Sequence, residues 1–114
     1  MREGNIIIVP MPQADGIIKN RPAIILREMP PFRDVLVCGV STQLRQAAKD
    51  FDEVISPSDA DFASSGLIEE SLIRLGFLVV VPRFKIVGSI GSISPERHKR
   101  LLQRLSEYLV SDNA

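Results

Sequence analysis

The sequence predicts a mainly β fold, a small barrel or sandwich with one C-terminal helix lying on it. Three observations carry this reading. Up to residue 90 the chain falls into short runs rich in β-branched residues. Gly, Pro and Asp separate those runs at close spacing, the pattern of small all-β domains. After Ser94 the apolar period changes from that of a strand to that of a helix. A chain of 114 residues suits one domain spanning 1–114, with the barrel over about 4–91 and the helix over about 95–110.

The elements follow in order. Ile6-Ile7-Ile8-Val9 reads as a first strand, stopped by Pro10 and Pro12. Gln13-Ala14-Asp15-Gly16 is a turn, with Gly16 free to take positive φ. Ala23-Ile24-Ile25-Leu26 is a second strand with Pro22 at its mouth, and Pro30-Pro31 breaks it. Residues 35–41 form a third strand, and residues 51–55 a short fourth. Residues 71–75 and 78–81 read as two more, with Gly76 at a bend or bulge between them. Residues 84–90 form the last. Ser94 is an N-cap candidate with Pro95 at the first helical position. His98, Leu101, Leu102, Leu105 and Leu109 then mark an apolar face.

Composition narrows the function classes. Lys+Arg and Asp+Glu both number 14, so no overall charge draws the chain to nucleic acid or membrane, and any nucleic-acid site must be a local basic patch. The acidic residues gather mid-chain, between Asp50 and Glu70, where they could lie on the far side from such a patch. The single cysteine, Cys38, sits in an apolar run and reads as a buried small hydrophobe. One cysteine, no signal-peptide pattern and no long apolar run together suggest a cytoplasmic protein without a membrane segment.

Few residues carry chemistry. Asp59 and Asp61 could suit a hard cation, but Ser56-Pro57-Ser58-Asp59-Ala60-Asp61 reads better as a turn. No Cys/His spacing suits zinc and no glycine-rich phosphate loop is present, so neither metal nor cofactor is expected. His98 has no evident nucleophile and reads as structural. Arg97, Lys99, Arg100 and Arg104 crowd the N-terminal half of the helix, where the dipole disfavours cations. They read as a solvated face, or else as a partner surface. What remains is Arg21, one residue before Pro22, and the hydroxyls of Ser41 and Thr42 at the end of the third strand. Antiparallel pairing of the second and third strands brings them together. A fixed guanidinium with hydroxyl donors makes a phosphate clamp, although a structural ion pair is the ordinary fate of an arginine.

Three stretches then carry a resemblance: Gly4-Asn5-Ile6-Ile7-Ile8-Val9-Pro10, Lys19-Asn20-Arg21-Pro22-Ala23-Ile24-Ile25-Leu26, and Cys38-Gly39-Val40-Ser41-Thr42-Gln43. With Ser71-Leu72-Ile73-Arg74 and the terminal helix, they make the chain resemble the MazF/PemK family, toxin halves of bacterial toxin–antitoxin pairs. The family usually has Gly-Asp where this chain has Gly4-Asn5. The resemblance implies an SH3-like barrel that forms a homodimer. It implies a metal-independent endoribonuclease that cuts single-stranded RNA, and a small cognate antitoxin that silences it, with DNA contacted only through the antitoxin. The family's catalytic arginine falls on Arg21. Its threonine falls on Ser41, which keeps the hydroxyl but loses the methyl that restricts the rotamer. Attack by the RNA's own 2′-hydroxyl would leave a 2′,3′-cyclic phosphate and a 5′-hydroxyl. Gln13, Lys19, Thr42, Gln43 and Arg74 are the expected RNA contacts, with Arg83 a lesser one. Two rivals share the fold: a non-catalytic binding module, and a CcdB-like gyrase poison, which would not need Arg21.

Overall fold

The computed structural model describes residues 1–112; residues 113 and 114, the end of the expected domain span, lie outside them. Six antiparallel strands form one sheet in the order β4-β5-β3-β2-β1-β6. They are β1 (Asn5–Pro12), β2 (Ile18–Met29), β3 (Asp34–Ser41), β4 (Glu53–Ile55), β5 (Ser71–Val81) and β6 (Gly88–Ser92). The edge strands β4 and β6 do not pair with each other, and the sheet curls into a half-barrel. A single helical turn, α1 (Phe62–Ser65), precedes β5, and α2 (Pro95–Val110) follows β6.

Both faces of the sheet are covered, which explains the unbroken apolar run in β2. Ile24 and Leu26 point into one core with Cys38, Ile73 and the α2 residues Leu101 and Leu105. Ala23 and Ile25 point into a second core with Ile7, Val9, Val35 and Val37. Strict alternation therefore fills two cores from one strand. Cys38 is fully buried, and that burial pushes its thiol up to about 12.

Four strand expectations change. β1 runs through Pro10 and Pro12, and β2 starts at Ile18, four residues before Pro22. One geometric fact accounts for all three prolines. Ile8, the partner of Pro22, accepts the Val87 N–H with its carbonyl, so its polar groups point away from β2. The Ile8–Pro22 pair is then a non-hydrogen-bonded one, and by alternation so are the pairs of Pro10 and Pro12. β6 pairs with β1 only as far as Ile8, and β3 pairs with β2 only as far as Ala23. Each proline thus turns its missing N–H toward a side where no neighbour asks for one. Residues 71–81 form one strand rather than two, with Gly76 in a bulge as expected. The strand expected over 84–90 is instead a 3₁₀ turn (Arg83–Lys85) followed by β6, and Phe84 is 85% exposed.

The helix starts as expected: the Ser94 hydroxyl accepts the Arg97 N–H at 3.1 Å, and Pro95 is its first residue. His98 donates through Nε2 to the Leu26 carbonyl at 2.8 Å. Leu26 falls where the β2–β3 register slips, so the histidine takes up a carbonyl beside that slip. Leu109, expected on the apolar face, is 68% exposed; burial ends at Leu105.

Three of the four basic residues in the N-terminal half of the helix, Arg97, Arg100 and Arg104, bind carboxylates of the same chain, and Lys99 is exposed. Arg97 is buried, with Nε 2.8 Å from Asp61 Oδ2, Nη2 3.1 Å from Asp61 Oδ1 and from Asp59 Oδ2, and Nη1 2.8 Å from Glu53 Oε1. Arg100 grips both oxygens of Glu53, and Arg104 reaches the same carboxylate at 3.1 Å. Asp59 also accepts the Ser56 N–H at 2.8 Å, so the turn reading of this segment holds as well. Three guanidinium groups against three carboxylates fasten α2 to β4 and to the α1 turn. Burial raises the carboxyls of Glu53 and Asp61, but the surrounding arginines outweigh it and hold both below the usual range. A carboxylate whose folded value is depressed adds stability above its unfolded value, and that stability is lost as pH falls through the folded value. Urea midpoints should therefore fall steadily as pH drops below about 4. Replacing Arg97 by Ala strands the buried Asp61 carboxylate, while Glu53 keeps Arg100 and Arg104, and should cost about 3–5 kcal/mol at pH 7. It should also flatten the acid slope, which urea titrations across the pH range would show.

Candidate functional site

The β2–β3 pairing ends at Ala23 and Gly39. Beyond it β2 continues with β1 as its partner, and β3 continues with β5. The sheet is therefore parted at this end. Two residues past the last pair stand Arg21 and Ser41, which the register sets opposite each other on one face. Arg74 joins that face, because it is the β5 partner of Gly39. A groove of about 880 Å³ opens here. The hairpin turn at Gln13 and Ala14, the strand ends and the segment from Gly66 to Ser71 line it.

Arg21, Ser41, Thr42, Gln43, Gln13 and Arg74 all line this groove. Lys19 does not; it lies farther out on β2, paired with Met11. Arg83 is elsewhere, tied to Glu28 at 2.6 Å and to the carbonyls of Arg33 and Met1. Arg21 is exposed and, among the described residues, has no hydrogen-bond or ion-pair partner, so the ordinary fate of a surface arginine does not apply to it. Ser41 Oγ accepts the Gln43 N–H at 3.0 Å. That contact fills a lone pair and leaves the hydroxyl proton free to donate outward. Gln13 Nε2 donates to the Met11 carbonyl at 3.1 Å, which keeps the side chain close to its own turn.

The wall formed by the segment after α1 depends on glycine. Gly66 has φ 76°, and a Cβ there would stand 2.0 Å from the Ile90 carbonyl oxygen. The segment can therefore press against β6 only without a side chain at that point. It carries Ile68, 93% exposed, and Glu69, an acidic residue in the groove lining. Sequence reasoning did not find Phe77, Gln46, Ile68, Glu69 or Ile90. Only Phe77 left a trace, as the neighbour of the flagged Gly76; the others reach the groove by contacts distant in sequence.

Charge is distributed unevenly. Arg97, Arg100 and Arg104 are matched by carboxylates under the helix, while Arg21 and Arg74 have none among the described residues. A neutral chain thus presents unpaired guanidinium groups where two hydroxyls and several amide donors converge, an arrangement suited to an anion with several oxygens. Among the described residues no group of three His, Cys, Asp or Glu side chains is placed to hold a metal ion, and no helix is long and apolar enough to cross a membrane.

Residues 2–109 match the family model described as PemK-like, MazF-like toxin of type II toxin–antitoxin system. Among solved structures the chain is similar to the Mycobacterium tuberculosis toxin MazF-mt6, with a TM-score of 0.68 and 20% identity over 96% of this chain and 99% of that one. At that identity the likeness establishes the shared fold. No curated protein sequence matches the chain.

A guanidinium without partners is not a structural element. Arg21→Ala should leave the unfolding free energy within about 0.5 kcal/mol of the parent, as at other uncoupled surface positions. Urea denaturation read by circular dichroism checks this; a larger loss would make Arg21 part of the scaffold.

Proposed function

The chain belongs to the PemK-like, MazF-like toxins of type II toxin–antitoxin systems, and on that premise we propose that it is an endoribonuclease cutting single-stranded RNA in the groove at Arg21 and Ser41. A type II system pairs its toxin with a protein antitoxin, so an antitoxin is the expected partner of this chain. The observation that carries the reading is the unpaired Arg21 guanidinium set opposite the Ser41 hydroxyl at the parted end of the sheet.

The chemistry follows from the groups present. The 2′-hydroxyl of the RNA attacks the adjacent phosphorus. The 2′-O–P bond forms, the P–5′-O bond breaks, and the proton lost from the 2′-hydroxyl is balanced by one gained on the 5′-oxygen. The products are a 2′,3′-cyclic phosphate and a 5′-hydroxyl, with no water consumed. Negative charge grows on the non-bridging oxygens as the phosphorus becomes five-coordinate. Arg21 faces that charge with a fork of donors and assists the proton transfer, and Ser41 donates to one non-bridging oxygen. Gln13, Thr42 and Gln43 lie along the same groove as contacts for the strand on either side. The protein acts in the cytoplasm, where its substrate is, and as a homodimer.

A long unstructured RNA incubated with antitoxin-free protein in EDTA should be cut to fragments with 5′-hydroxyl ends. Arg21→Ala should lower the rate at least 10²-fold, the scale set by removing one donor to a developing oxyanion. Ser41→Ala should lower it markedly, and Ser41→Thr should retain it. Uncut RNA from folded protein, tried on several sequences, would replace this reading with that of a non-catalytic binding module.

A further inference from the structure

β3 and β5 pair without a break from Val35–Val81 to Cys38–Leu78. The next residue of β3, Gly39, pairs with Arg74. Leu75, Gly76 and Phe77 are therefore extra residues of β5, between partners that are adjacent on β3. The bulge is held on purpose-built contacts. Asp52 accepts the Leu75 N–H with Oδ1 at 3.0 Å and the Ala48 N–H with Oδ2 at 2.8 Å. Leu75 enters the core under α2, while Phe77 packs against the other core. Bulges re-aim side chains beside binding sites. Here the ring of Phe77 packs over Gly39, within 3.5 Å of the position a Cβ would take. Arg74 Cζ lies 5.5 Å from the centroid of the same ring, within cation–π range. Both side chains line the groove, and Arg74 has no carboxylate partner among the described residues. These two planar groups lie together on β5, two strands away from Arg21 in the sheet order.

We infer that Arg74 and Phe77 form a stacking shelf for one nucleobase of the RNA, next to the phosphate engaged by Arg21 and Ser41. This inference rests on reading the groove as an RNA site. Single-stranded RNA is recognised by bases splayed onto aromatic rings or arginine planes, and every base has such a face to offer. A groove that held only the phosphate would leave the sugar free to rotate. Fixing the base beside it fixes the 2′-hydroxyl in line with the phosphorus. The shelf binds by shape and polarisability, so it tolerates any base and favours purines. Replacing an arginine that met only a phosphate would alter affinity without altering the fluorescence of a neighbouring base, and that difference separates the two roles.

The test uses decameric 2′-fluoro oligoribonucleotides, which lack the attacking hydroxyl, with 2-aminopurine placed at successive positions. Bound to the intact protein, one position should be strongly quenched. Arg74→Lys keeps the charge and Phe77→Leu keeps the bulk, yet each should abolish that quenching and weaken binding about tenfold, on the scale of one lost base stack. Phe77→Trp should restore both, which separates stacking from a folding defect. Undiminished affinity and unchanged quenching in Arg74→Lys and Phe77→Leu, with RNA still bound, would overturn the shelf and leave the RNA site standing. Failure of the parent protein to bind any of the oligonucleotides would overturn both.

Discussion

The buried guanidinium of Arg97 is the contact on which the rest depends. It binds Asp61 through two nitrogens, reaches Glu53 and Asp59 as well, and lies at the first turn of the helix that covers one face of the sheet. Buried charges persist only where partners and hydrogen bonds satisfy them, and here every buried polar side-chain atom among the described residues has a partner. The same cluster settles the electrostatics of the surface. A chain with equal numbers of acids and bases becomes locally basic only if some bases are matched and others are left over. The helix arginines pair with Glu53, Asp59 and Asp61, and among the described residues the strand arginines at the groove have no carboxylate partner.

The groove itself is made by pairing that stops. Strands β1, β2 and β3 are of unequal reach, and each proline occupies a position whose missing N–H faces an absent neighbour. Arg21 is therefore carried on a stretch of β2 that is supported from one side only, while its backbone is stiffened by the following proline. Ser41 arrives on β3 at the same level because the register is fixed deeper in the sheet, where alternating residues fill two cores. A slip of one residue would invert both cores, so burial far from the groove determines which side chains face it. On the third strand the opposite device operates: β5 has residues to spare, and its bulge delivers Phe77 and Arg74 to the groove together.

Local chemistry was readable from the sequence wherever a residue's own conformational preference decided the outcome. The turn at Gln13–Gly16, the cap at Ser94, the bend at Gly76 and the apolar runs of the central strands lie where composition and period placed them. Antiparallel pairing of the second and third strands pointed to Arg21, Ser41 and Thr42, while Gln13, Gln43 and Arg74 came from the family resemblance; all six line the groove. Lys19 lies outside the groove because its strand begins earlier than Pro22 implied, and Arg83 is tied to Glu28, which lies far from it in sequence. Only the tertiary structure decided which arginines are neutralised, that Gly66 brings Ile68 and Glu69 to the groove, and that Phe77 turns back over Gly39. The physical reason is common to all three. Pairing partners of a charge, the approach of two backbones and the direction of a bulged side chain are set by residues tens of positions away, and a local pattern of period two or 3.6 holds no record of them.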